Sequence, residues 1–152
     1  MKHNLKKPVV LLIADDDEED REMTREAFEG NFVFSQIQMV TDGLALIDYL
    51  FRQGIYVDPE RSPRPGLILL DLNMPRMDGR QALQHIKSHP ELRSIPVIVL
   101  TTSHAEEDIF KSYNLGVNCF ISKPISAKDF IEVAQSIGRY WFETVLLPSP
   151  SK

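Results

Sequence analysis

The sequence predicts an α/β fold of the doubly wound type, a parallel sheet covered by helices on both faces. Three observations carry this expectation. Short β-branched runs alternate with amphipathic segments along the chain, the order that builds successive βαβ units. The first, third and fourth runs are almost continuously apolar, as central strands buried on both faces must be. Cap and turn residues punctuate the boundaries between them.

Val9 to Ala14 reads as the first strand and Glu18 to Glu29 as the first helix, stopped by Gly30-Asn31. Phe34 to Val40 follows as the second strand. Thr41-Asp42-Gly43 then turns the chain into a helix over Leu44 to Arg52. Gly54 to Gly66 carries Pro59, Pro63 and Pro65 with charges between them, which makes it a surface loop lengthening the approach to the third strand, Leu67 to Leu70. The third helix, Arg80 to Ser88, is closed by Pro90. Val97 to Leu100 and Asn118 to Ile121 complete the strands. Helices are expected at Ala105 to Leu115 and from Ala127 to at least Tyr140, where Ser126 followed three residues later by Asp129 resembles a capping box. The pattern is (βα)5, in one domain over residues 1–147. Residues 148–152, PSPSK, are expected to form a disordered tail.

A chain of 152 residues, 43% hydrophobic and 26% charged, has the size and composition of one ordinary globular domain. A net charge of −5 and a pI near 5.3, with no basic cluster, argue against nucleic acid as a partner. Cys119 is the only cysteine, which rules out an internal disulfide and a Cys-ligated zinc site and fits a reducing cytoplasm. The basic start, Met1 to Lys7, precedes an apolar run too short for a signal peptide or a membrane span. None of the seven glycines forms a GxGxxG or P-loop pattern.

Ligands of open parallel sheets collect at the carboxyl ends of the strands, so the residues just past each strand matter most. The first strand delivers Asp15-Asp16-Asp17, the third Asp71, the fourth Thr101-Thr102 and the fifth Ser122-Lys123-Pro124. Carboxylates brought together from neighbouring strands repel unless a cation lies between them. Hard oxygen ligands of this kind select Mg²⁺, which retains water and accepts a phosphate oxygen. An acidic cradle with a lysine and a hydroxyl therefore points to both a metal and a phosphoryl group.

Through ADDD at 14–17, LLDLNMPRMDG at 69–79, LTT at 100–102 and SKP at 122–124, the chain resembles the response-regulator receiver family over roughly residues 8–140. The resemblance implies the flavodoxin-like strand order 2-1-3-4-5. It implies that Asp15 and Asp16 are the acidic pair, Asp71 the phospho-acceptor, Thr101 the switch hydroxyl and Lys123 the family's lysine. Mg²⁺ would be held by Asp16 and Asp71, by Asp15 through water, and by the backbone carbonyl of Asn73. Phosphorylation would draw Thr101 inward, and the aromatic on the fifth strand, here Phe120 in place of a frequent tyrosine, would follow by burial alone. Ser103 and Asn73 stand where this family tunes phosphate loss. The implied function is a stand-alone response regulator, a signalling protein and not an enzyme, phosphorylated on Asp71 by a sensor histidine kinase and acting through protein contacts. The long loop before Asp71 and the aromatic carboxyl-terminal segment look like the receivers paired with phytochrome-type kinases.

Simpler readings exist for the same residues. Asp15 to Asp17 could merely cap the first helix, a role that suits Asp17 best. Asp71 and Lys123 could be a buried ion pair in a pseudo-receiver scaffold that is never phosphorylated. A phosphohydrolase with an Asp nucleophile, of the haloacid-dehalogenase type, would need a second Asp where Asn73 stands. His85 and His89, one helical turn apart, read as solvated side chains, Cys119 as a small core residue, and Met74 to Met77 as loop packing. Phe130, Ala134, Ile137 and Trp141 form one apolar stripe facing the core. Tyr140, Phe142, Val145, Leu146 and Leu147 exceed what a small sheet can cover, so a homodimer through this helix is expected.

Overall fold

A computed structural model of the protein describes residues 9–29 and 34–148. Five strands, β1 (Val9–Ala14), β2 (Phe34–Val40), β3 (Leu67–Leu70), β4 (Val97–Thr101) and β5 (Cys119–Ser122), form one parallel sheet in the order 2-1-3-4-5. Helices α1 (Glu18–Phe28), α2 (Gly43–Phe51), α3 (Gly79–Ser88), α4 (Glu106–Leu115) and α5 (Ala127–Gly138) alternate with the strands. The expected doubly wound fold is observed, with boundaries shifted by one or two residues. The expected helix stop at Gly30-Asn31, the basic start and the tail residues 149–152 lie outside the described residues.

Alternation along the central strands divides the core in two. Leu12, Ala14, Ile68 and Leu70 join Leu46 and Leu50 of α2 and Leu83 and Ile86 of α3 on one face. Leu11, Ile13, Leu67 and Leu69 join Phe28 of α1 and Ile137 of α5 on the other. Each of these strand residues is at least 97% buried, which is why β1 and β3 read as continuous apolar runs.

Local chemistry sets the helix starts. Asp17, Asp42, Asp78 and Ser126 cap α1, α2, α3 and α5 by accepting a backbone N–H three residues on. At α3 the reciprocal bond from Asp78 N–H to the Gln81 side chain completes a capping box, a pair the sequence analysis did not single out. Gly79 is required by close approach, since a Cβ there would lie 2.3 Å from the Asp71 carbonyl oxygen. That contact packs the start of α3 directly against the turn leaving β3.

The Pro-rich connection contains a 3-10 turn at Gly54–Tyr56 and is tied to α2. The Tyr49 hydroxyl donates to the Pro63 carbonyl at 2.6 Å, the Arg64 guanidinium donates to the Leu50 carbonyl, and buried Ser62 donates to the carbonyls of Tyr56 and Asp58. Two sequence expectations need correction. His89 is not merely solvated: it ends α3, accepts the Glu91 N–H on Nδ1 and packs edge-on against Phe51. The last helix does not run as α-helix to Tyr140, but changes to a π-helical turn over Arg139–Thr144. Five-residue spacing puts Phe142 on the same side as Ile137, where it is buried and meets the Phe28 ring at 5.7 Å. Phe142 therefore belongs to the core and not to a surplus apolar surface.

Candidate functional site

Parallel pairing in register brings the carboxyl ends of four strands to one edge. The Asp71 N–H donates to the Ala14 carbonyl, the Asp15 N–H to Val40, and the Lys123 N–H to Thr101. Backbone ladder bonds thus place Asp15, Asp71, Thr101 and Lys123 side by side, although up to 108 residues separate them in the chain.

Asp71 is buried and each of its carboxylate oxygens has partners. Oδ1 accepts the Thr101 hydroxyl at 2.6 Å and the Asn73 N–H at 3.1 Å; Oδ2 accepts from Lys123 Nζ at 3.0 Å. Thr101, fully buried, already faces Asp71. Lys123 Nζ also donates to Asp15 at 2.7 Å and to Asp20 at 2.8 Å, and its side chain is 4% exposed. Asp15 accepts the Asp17 N–H, and the Arg21 guanidinium donates to the Asp15 backbone carbonyl. Asp17 is the cap of α1, as its position suggested.

Asp15, Asp16 and Asp71 each offer an oxygen within 4.8 Å of the others, two from buried residues and one from an exposed one. Burial pushes the Asp15 carboxyl up, and the Asp71 charge adds to the rise against the hydrogen bond and charge of Lys123. Burial alone would lower the Lys123 ammonium, but its hydrogen bonds to Asp15 and Asp20 and the Asp71 charge more than offset it, so it is held charged. Four carboxylates, counting Asp20, therefore share the site with a single ammonium, which bonds three of them, Asp15, Asp20 and Asp71. The excess negative charge and the all-oxygen donor set fit a hard divalent cation.

Residues 11–135 match the family model for the response regulator receiver domain. The chain belongs to that family. Response regulator Rcp1 of Synechocystis sp. (strain ATCC 27184 / PCC 6803 / Kazusa) is 44% identical over 142 residues, which cover 93% of this chain and 95% of Rcp1. The probable methanogenesis regulatory protein FilR2 of Methanothrix harundinacea is 34% identical over 144 residues, or 95% of this chain and 90% of that one. Among solved structures, the phosphorylated cyanobacterial phytochrome response regulator RcpA superposes with a TM-score of 0.89 at 39% identity, covering 94% of this chain and all of RcpA. The Mn²⁺-bound form of Rcp1 superposes with a TM-score of 0.88, covering 93% of this chain and all of that one. The receiver is thus homologous to phytochrome response regulators.

Not every residue proved equally legible. The receiver motifs located Asp15, Asp16, Asp71, Asn73, Thr101 and Lys123, and the fold gathers them. Phe120 on β5 pairs with Val99 on β4 and is half-buried against the core. Its backbone N–H donates to the hydroxyl of Tyr113 on α4. Asp20 was missed; its only signal was an acid in the first turn of the helix that follows the acidic pair. Also missed was the bridge from Arg80 on α3 to Asp108 on α4, bidentate at 2.7 and 2.6 Å, with the Ser103 hydroxyl donating to the same carboxylate at 2.6 Å. No local spacing announces residues 28 apart on different helices.

Proposed function

We propose that this receiver accepts a phosphoryl group on Asp71 from a sensor histidine kinase in a Mg²⁺-dependent reaction and converts it into altered protein contacts. The observation that carries the reading is the arrangement of Asp71 beside Thr101, Lys123 and two further carboxylates at one sheet edge. Asp15, Asp16, Asp71 and the backbone carbonyl of Asn73 would hold the metal, which supplies positive charge against the repulsion between a carboxylate and an incoming phosphoryl group. An Asp71 carboxylate oxygen attacks phosphorus, the bond from phosphorus to the kinase imidazole nitrogen breaks, and that nitrogen keeps the electron pair. The product is an acyl phosphate. Lys123 stands ready to donate to a phosphoryl oxygen in place of Asp71 Oδ2, and the Thr101 hydroxyl to do so in place of Asp71 Oδ1.

Phosphoryl charge would then bias a two-state equilibrium at Thr101 and the neighbouring Phe120. Because Thr101 already touches Asp71, its shift is a change of acceptor and not a long inward swing. The similarity to RcpA and Rcp1 supports a phytochrome-type kinase as partner, and the single cysteine, Cys119, fits a cytoplasmic setting. Among the described residues no helix is long and apolar enough to cross a membrane. Tyr140 and Leu146 are 57% and 82% exposed beside the last helix, which supports a homodimer through that segment.

Intact-mass measurement with acetyl phosphate and Mg²⁺, then with a histidine-kinase donor, tests the reading. One Mg²⁺-dependent phosphoryl adduct is expected in the wild type and none in Asp71→Asn. An adduct that persists in that variant, or none in the wild type with either donor, would reject it.

A further inference from the structure

The lysine of the site is held by more than the phospho-acceptor. An ammonium has three N–H donors, and Lys123 Nζ meets three carboxylates from three elements: Asp15 after β1, Asp71 after β3 and Asp20 on α1. Asp15 and Asp71 belong to the cluster suited to a cation, whereas Asp20 stands outside it. Asp20 has a fixed origin, because its own N–H is bound by the Asp17 cap at 3.0 Å and its carbonyl accepts the Thr24 hydroxyl at 2.8 Å.

We propose that Asp20 is a positioning residue for Lys123, an outer anchor that takes one of its three N–H donors and so limits the hold of the ammonium on the Asp15 and Asp71 oxygens to one bond each. Without it, the nearly buried ammonium, already bonded to both carboxylates, turns its third N–H onto them as well, since a buried charge deprived of a partner shifts toward those that remain. Those are the oxygens needed for the cation and for attack on phosphorus. With Asp20 in place, one N–H stays committed outward while another exchanges Asp71 for a phosphoryl oxygen. The Asp20 side chain is 20% exposed, so shortening it opens no sealed cavity. The inference rests on the phospho-acceptor reading and concerns how the lysine is shared within it.

Asn at position 20 keeps an oxygen that can accept the Lys123 N–H but removes the charge, and Ala removes both. Adduct formation with acetyl phosphate at saturating Mg²⁺ is expected to slow on the order of tenfold in Asp20→Ala, the scale of one charge-assisted hydrogen bond. Asp20→Asn is expected to label within about twofold of the wild type, well inside the tenfold that 1.4 kcal/mol represents. In the metal-free protein, the Lys123 ammonium should give a resolved NMR signal in the wild type and Asp20→Asn, and one broadened by solvent exchange in Asp20→Ala. Equal slowing in both variants would assign the effect to charge alone and overturn the proposal, as would wild-type labelling in both. Failure of the wild type itself to label with any donor would instead reject the phospho-acceptor reading.

Discussion

Asp71, the proposed nucleophile, is restrained by hydrogen bonds on both carboxylate oxygens, and each bond should have a separable effect. Removing the Thr101 hydroxyl leaves Oδ1 with the Asn73 N–H, so the carboxylate keeps one donor and its link to Lys123. Thr101→Ala should still form the adduct, while the phosphorylation-dependent change in partner affinity falls by at least about tenfold, the equivalent of one hydrogen bond to a charge. Calorimetry of kinase or target binding before and after phosphorylation checks this. A second residue-scale test is acid stability. Hydrogen bonds from Arg80 and then Ser103 hold the Asp108 carboxyl down at about 2. A depressed carboxyl contributes stability that is fully present above its unfolded value of 3.8 and is lost as pH falls through about 2. Arg80 is partly exposed, so the expected loss in Asp108→Asn is on the order of 1 kcal/mol at neutral pH. Urea titrations of the two proteins should converge as pH falls toward 2, and a gap that persists unchanged there would remove the carboxylate from the explanation.

At the scale of elements, two junctions hold the site and the core in register. The start of α3 lies so close to the turn after β3 that a Gly79 Cβ would meet both the Asp71 carbonyl oxygen and, at 2.8 Å, the Leu72 Cα. Both are backbone atoms and cannot rotate away. Gly79→Ala should therefore cost about 1–3 kcal/mol, the range for overpacking, and slow labelling of Asp71 as well. Denaturant unfolding and adduct mass measure the two effects on one sample. The second junction is the π-helical turn that sends Phe142 onto Phe28. Phe142→Ala should destabilise by about 3 kcal/mol, as for a buried phenylalanine. Trp141, half-buried beside it, supplies the fluorescence to follow unfolding. Asp71 labelling should be unaffected in the native protein, because Phe142 meets α1 at Phe28, its last residue, while Asp20 and the site lie at its first turn.

For the whole molecule, the proposed output is a change in surface contacts. Arg80, Asp108 and Ser103 join α3, α4 and the loop after Thr101, so phosphorylation at Asp71, as proposed, would have bonded side chains through which to reach α4. The exposed Tyr140 and Leu146 lie at the far end, after α5. If that segment is the dimer contact, Leu146→Asp should weaken self-association by about tenfold or more, the effect of burying a charge where an apolar anchor sat. Sedimentation equilibrium gives the answer directly, and an unchanged dimer would move the contact elsewhere. An unaltered rate of Asp71 labelling in the same variant would show that the two functions are carried by different parts of the fold.

Sequence alone determined the alternation of strands and helices, because apolar runs and caps are local signals read within a few residues. It also located Asp15, Asp16, Asp71, Thr101 and Lys123, since strand ends in a parallel sheet share one edge and the receiver motifs mark those positions. Tertiary structure decided how Lys123 is divided among three carboxylates, that Arg80 reaches Asp108, and that Phe142 turns inward. Each depends on the distance and phase between elements far apart in the chain. Hydrophobic period and motif spacing carry no such information: a one-residue π insertion or a single first-turn acid changes which side chains meet without altering the local pattern.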